Sequence, residues 1–218
     1  MTGVQTCALP ISLPWWLERG LLLIGCLWLV NLTNFMDGID WITVAEVVPV
    51  TAALTALGVA GALPEHGVIV AAALCGAMLG FAPSNKPVAK LFLGDVGSLP
   101  IGLLLSWLLI LLASNDHFVA SVLLPLYYLA DATLTLLRRL FNGERIWEAH
   151  RTHFYQRATT RGFKVIEIVS RIFAVNVVLA LLAFATVQWP SLLVRILALS
   201  AGAALVSVLL INFSRGRL

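Results

Sequence analysis

The chain has 218 residues, of which 60% are hydrophobic and only 11% are Asp, Glu, Lys or Arg, with a formal net charge of +3. A soluble domain carries about a quarter charged residues, so these figures and a mean hydropathy of +0.96 exclude an ordinary soluble protein. The positive excess is not a nucleic-acid signature, because the basic residues punctuate apolar runs and so report membrane orientation.

Residues 1–12 lack the basic start and the long apolar stretch of a signal peptide. They resemble translated sequencing-adapter sequence and are expected to be a non-native leader, leaving a single transmembrane domain over residues 13–218 that forms the C-terminal part of a longer protein. Seven low-charge runs then read as spans: 15–30, 42–63, 67–82, 99–113, 118–137, 166–187 and 192–211. The predicted class is all-α, a polytopic membrane bundle of about seven helices. Cys7, Cys26 and Cys75 have no metal-binding spacing and read as small hydrophobes.

The first span, anchored by Trp15 and Trp16, runs into Asn31-Leu32-Thr33-Asn34-Phe35-Met36-Asp37-Gly38-Ile39-Asp40. Asp37 and Asp40 are three apart and share one side of a helix or tight turn, Asn31 and Asn34 continue that spacing, and Gly38 lets a ligand approach the backbone. Carboxylates at a span end tend to face water, a cation or a partner. The same short pattern also occurs in calcium loops and ordinary turns.

After a hairpin of two spans comes a polar segment, 83–98. Pro83 and Pro87 interrupt any helix in its first half. Gly94 and Gly97 bracket Asp95 on a predicted tight turn, with Ser98 as cap of the next span. Glycines, a helix start, Lys86 and Lys90 suit phosphate; a loop whose Asp simply caps a helix is the other reading. Asp131 lies inside the fifth span, where it can pair with Arg138 or serve a wet site. The third polar segment, 138–157, holds His150 and His153 among arginines. Zinc is a poor fit, because cations surround the pair and no Cys or acid is arranged as a third ligand. An anion such as a diphosphate fits, as would lipid headgroups.

If the Asp37 turn is cytoplasmic, all of the 14 Lys and Arg residues except Arg19, Arg171 and Arg195 fall on that side, as positive-inside bias requires. The N-terminus is then outside, and the C-terminus and all three polar segments are cytoplasmic.

Together, the Asn-x-x-Asn-x-x-Asp-Gly-Ile-Asp, Phe-Leu-Gly-Asp-Val-Gly-Ser-Leu and His-Arg-Thr-His-Phe segments resemble the polyprenyl-phosphate N-acetylhexosamine-1-phosphate transferases. These include the enzymes that initiate O-antigen and enterobacterial common antigen, and the phospho-MurNAc-pentapeptide translocase. The resemblance covers residues 17–218, and the third segment looks closer to the lipopolysaccharide-initiating branch. It implies a bacterial inner-membrane enzyme that moves sugar-1-phosphate from a UDP-N-acetylhexosamine to undecaprenyl phosphate, releasing UMP, with magnesium (or manganese) and a homodimer in view. By that analogy Asp95 ligates the metal. Asp37, Asp40, His150 and His153 carry the chemistry, with either aspartate open as the group that orients or deprotonates the lipid phosphate. Asn31, Asn34, Gly38, Asn85, Phe92, Arg145 and Arg151 bind substrate. One departure matters: the family carries an earlier pair of adjacent aspartates, and this chain has no Asp-Asp. The 218 residues alone are therefore expected to be inactive. The competing class is a transporter with Asp37, Asp40 and Asp131 on a cation path, although the first two lie at span ends and no internal repeat is seen. A non-catalytic membrane scaffold is the third.

Overall fold

In lipid, backbone N–H and C=O groups must be satisfied within the segment, so apolar runs become helices. The computed structural model describes residues 13–145, Glu148 and residues 151–216. Among these it has nine α-helices: α1 (Trp15–Met36), α2 (Ile42–Val59), α3 (Glu65–Phe81), α4 (Gly94–Leu112), α5 (Phe118–Leu123), α6 (Leu126–Phe141), α7 (Phe154–Thr160), α8 (Val165–Gln188) and α9 (Leu192–Arg215). The chain is a multi-pass helical membrane protein. Five described stretches are long and apolar enough to cross a bilayer: Trp15–Met36, Ile42–Val59, Gly94–Leu123, Val165–Gln188 and Leu192–Arg215.

The spans differ from expectation at three places. The fourth begins at Gly94 rather than 99, so Asp95 sits in the first helical turn and Ser98 lies inside α4 instead of capping it. Asn115 and Asp116 leave helical geometry, with Asp116 at φ 66°, and turn the chain back from α4 into α5. The expected fifth span is two helices, α5 and α6, parted at Leu124 and Pro125; proline cannot donate to the preceding turn.

Without a hydrophobic drive between helices in lipid, packing relies on small residues and polar contacts. The seam between α1 and α4 shows both. Ser98, Gly102 and Ser106 recur every fourth residue on α4 and meet Asn34, Val30 and Cys26 on the antiparallel α1. The Asn34 amide donates to Ser98 Oγ at 2.8 Å, Ser106 Oγ donates to the Cys26 carbonyl at 3.3 Å, and a Cβ on Gly102 would lie 2.8 Å from Val30 Cα. Elsewhere, α2 pairs with α3 and with α8, and α9 packs on α8. Pro49 inside α2 has no N–H to give the Ala45 carbonyl; Asn176 of α8 supplies the donor at 3.0 Å.

These pairings bring the ends of α1, α3 and α6 and the starts of α2, α4, α7 and α8 to one end of the bundle. The described residues of all three polar segments are there. Gly102→Leu should push α1 from α4 and destabilise the chain by about 1–3 kcal/mol, as overpacking does, measured by unfolding in detergent micelles.

Candidate active site

The Asp37 turn begins where α1 runs out. Asp37 ends the helix at φ −80°, ψ 58°, its own N–H bonded to the Asn34 carbonyl. One turn into α1, Asn34 points its amide to α4, donating to Asp95 Oδ1 at 2.8 Å as well as to Ser98. The first and second segments are thus joined side chain to side chain. Asp95 is exposed, and among the described residues no other hydrogen bond or ion pair engages it.

A second joint lies on the far side of the turn. Trp41 takes the left-handed conformation, φ 66°, and its N–H donates to Asn85 Oδ1 at 2.8 Å. Its indole N–H donates to the Ala82 carbonyl at 2.6 Å. Asn85 is buried and returns a bond to the Leu91 carbonyl at 2.8 Å, while Asp40 Oδ2 accepts from the Ala89 N–H at 3.1 Å. The loop from 82 to 93 is therefore closed on the Asp40 turn, and it leaves Phe92, 70% exposed, at the lip.

Asp37 turns the other way and accepts from Thr43 Oγ1 at 2.5 Å. Burial pushes its carboxyl above the ordinary value of 3.8, and the Thr43 bond only partly offsets this. Gly38 explains how the third segment reaches the turn: a Cβ there would collide with the Tyr155 hydroxyl, which donates to the Phe35 carbonyl at 3.2 Å. Burial raises the Tyr155 phenol, with Asp131 and Asp37 adding to the effect, so it stays a neutral donor.

The third segment is held by Asp131, which does not pair with Arg138. It is fully buried. Oδ1 accepts the Phe154 N–H at 3.0 Å and faces His153 Nδ1 at 3.3 Å, and Oδ2 accepts the Tyr155 N–H at 3.2 Å and the Tyr127 hydroxyl at 3.1 Å. Thr135 approaches at 3.4 Å. A carboxylate thus meets the first N–H groups of α7, where the helix has orphan donors. His153, 2% exposed, stacks on Tyr155 with ring centroids 5.8 Å apart. Its ring therefore faces the protein interior.

Of the remaining sequence candidates, Asn31 folds back on the Leu27 carbonyl at 2.7 Å. Arg145 is exposed and paired with Glu148 at 3.0 Å, and Arg151 is exposed. His150 lies outside the described residues. Sequence reasoning missed Trp41, Thr43, Tyr155 and Arg139. The last is buried and ties the loop after α6 together through Glu144 at 2.8 Å and the Arg145 carbonyl at 2.9 Å. Burial, then Arg138 and Arg161, pull Arg157 below its ordinary value, so three cations crowd beside α7.

The arrangement supplies two carboxylates, an exposed third, and a basic flank at one mouth, which suits phosphate chemistry more than zinc chemistry. No group of three His, Cys, Asp or Glu that could together hold a metal ion occurs among the described residues. One carboxylate with room for water and substrate oxygens still fits magnesium, which rarely takes an all-protein cage.

A family model described as Glycosyl transferase family 4 matches residues 2–113. The phospho-N-acetylmuramoyl-pentapeptide-transferase of Brachyspira hyodysenteriae is 26% identical over 176 residues, 72% of this chain and 45% of that protein. Its namesake from Rhodopseudomonas palustris is 28% identical over 188 residues, 78% and 49%. The decaprenyl-phosphate N-acetylglucosaminephosphotransferase of Mycobacterium tuberculosis is 38% identical over 86 residues, 36% and 21%. The chain spans about half the length of the first two.

Two outcomes test this geometry. Asp131→Ala strips the α7 amides of their acceptor and should cost about 2–4 kcal/mol, read as a lowered unfolding midpoint in micelles. An acid with a raised midpoint stabilises the fold while protonated and loses that contribution as pH rises past 3.8 and through its own higher value. Asp37→Asn keeps an acceptor for Thr43 without the charge, so its unfolding midpoint should fall less than the parent's between that range and neutrality.

Proposed function

Because the chain belongs to glycosyl transferase family 4, we propose that it forms part of an enzyme transferring N-acetylhexosamine-1-phosphate from a UDP-sugar to undecaprenyl phosphate. The relatives' names speak of a polyprenyl phosphate and of amino-sugar phosphates; the UDP-N-acetylhexosamine donor and the glycan-initiating role are carried over from the sequence motifs. The observation that supports it most is the meeting of the Asp37 turn, Asp95 and α7 at one mouth, through Asn34 and Gly38.

In this reaction an oxygen of the lipid phosphate attacks the β-phosphorus of the UDP-sugar. The bond from that phosphorus to the bridging oxygen breaks, and UMP leaves with the electron pair. Two anions must be brought together, so the protein's task is positioning and charge stabilisation. Asn34 and Gly38 line the donor site, with Asn85 and Phe92 set toward the uridine. Asp37 or Asp40 is the carboxylate that orients or deprotonates the lipid phosphate, a role carried over from the sequence motifs. Asp95 is the residue to hold magnesium, which when bound would draw charge from the phosphate oxygens. Arg145, Arg151 and His150 serve the diphosphate, while His153, turned onto Asp131, fixes the entrance to α7. The mouth faces the cytoplasm of a bacterial plasma membrane, a sidedness that the positive-inside bias of the basic residues supports. A transporter is less well supported, because Asp131 is enclosed by donors and offers no cation path.

The test is radiolabel from a panel of UDP-N-acetylhexosamines, followed into butanol-extractable lipid by membranes expressing the natural gene that contains these residues. Label should enter lipid from at least one sugar, and Asp95→Asn should cut the rate by about 10²-fold or more. No label from any sugar would overturn the proposal. The 218 residues alone, lacking an Asp-Asp pair, should release no UMP.

A further inference from the structure

Behind Asp37, where α8 packs on α2 and Tyr128 of α6 faces them, lies a polar cluster that the proposed chemistry does not use. Glu46 is 1% exposed. Its Oε2 accepts from Asn176 Nδ2 at 2.7 Å, and the same amide donates to the Ala45 carbonyl that Pro49 leaves without a partner. Three buried oxygens have no hydrogen-bond partner among the described residues: Glu46 Oε1, Asn176 Oδ1 and the Tyr128 hydroxyl. Tyr128 lies in electrostatic reach of Glu46, and its hydroxyl sits beside Thr43 without meeting good hydrogen-bond geometry. Thr43 precedes Glu46 by three residues on the same face of α2 and donates to Asp37.

No ion pair among the described residues involves Glu46. A carboxylate at this depth with only an amide against it would carry a large desolvation cost. The neutral acid has no such cost. With Oε2 accepting from Asn176, a neutral acid has its proton on Oε1, the atom otherwise left without a partner, and Tyr128 is the neighbour whose hydroxyl can accept it.

We propose that Glu46 is a positioning residue for Asp37: a neutral acid whose Asn176 bond fixes the first turns of α2 and whose hydroxyl, with Tyr128, keeps Thr43 turned toward Asp37. Its bearing on catalysis rests on Asp37 serving the transferase site. The titratable groups facing Glu46 are Tyr127 and Tyr128 of α6. Asp37, Asp131 and Tyr155 are the next charged or ionisable neighbours of those two phenols. None of them is a cation that would ionise Glu46.

Isotope-edited infrared spectroscopy of the chain in lipid nanodiscs tests this without turnover. At neutral pH the parent should show a protonated-carboxyl C=O band that disappears in Glu46→Gln. The Asp37 titration, identified as the carboxylate signal lost in Asp37→Asn, should be unmoved in Glu46→Gln. In Glu46→Leu and in Tyr128→Phe it should shift upward by about one pH unit as the Thr43 bond loosens. An Asp37 midpoint that falls in Glu46→Gln would mean that Glu46 is charged and would overturn the proposal. So would an unmoved midpoint in both Glu46→Leu and Tyr128→Phe. Should Glu46→Leu not fold, Tyr128→Phe alone decides. Failure of the transferase assignment would appear only in the lipid-labelling assay and would leave these spectra unchanged.

Discussion

A single amide, that of Asn34, spans the two helices on which the mouth of the bundle is built. It donates to Asp95 and to Ser98, and it can do so only because α1 and α4 run close together along Cys26, Val30 and Asn34. Small residues at Ser98, Gly102 and Ser106 allow that approach. A carboxylate at the membrane surface and a glycine deep in the apolar layer are therefore parts of one constraint. The Asp37 turn, fixed to the end of α1, inherits its position from the same seam.

The remaining joints follow the rule that desolvated polar groups must find partners. Trp41 and Asn85 close the second segment on the first. Tyr155 reaches the Phe35 carbonyl across the space that Gly38 leaves open. Asn176 satisfies a carbonyl exposed by Pro49. Each bond joins segments far apart in sequence, so the site is a product of the bundle and not of any one motif.

Much of this was legible beforehand. Helical class, the polar segments and their meeting at one end follow from hydropathy and from the spacing of Lys and Arg, since lipid leaves few alternatives for an apolar run. Asn34, Asp37, Gly38, Asn85 and Asp95 do lie at that mouth. What the linear pattern could not supply was partner choice. Arg139 looked like one more sidedness charge, yet it is buried and organises the loop after α6. Asp131 offered Arg138 as a neighbour at helical spacing, but the amides of Phe154 and Tyr155 won because they converge on it as α7 begins. Ser98 looked like a cap because Gly94 and Gly97 suggested a turn; the helix instead starts at Gly94, whose φ of 57° provides the bend. Pro125 was the visible sign that the fifth span would break, and it was passed over inside an apolar run.

Asp131 also bears on how such a chain is made. Beyond the Tyr127 and Thr135 hydroxyls of its own helix, its remaining partners are synthesised 22 to 24 residues after it. An aspartate at a helix centre in lipid is disfavoured by roughly 3 kcal/mol, a cost that the hydroxyls of its own helix offset only in part until the α7 amides reach it. The interval between α6 and α7 is short, and the last helices, α8 and α9, are then added to a platform whose acid already has its hydrogen-bond donors.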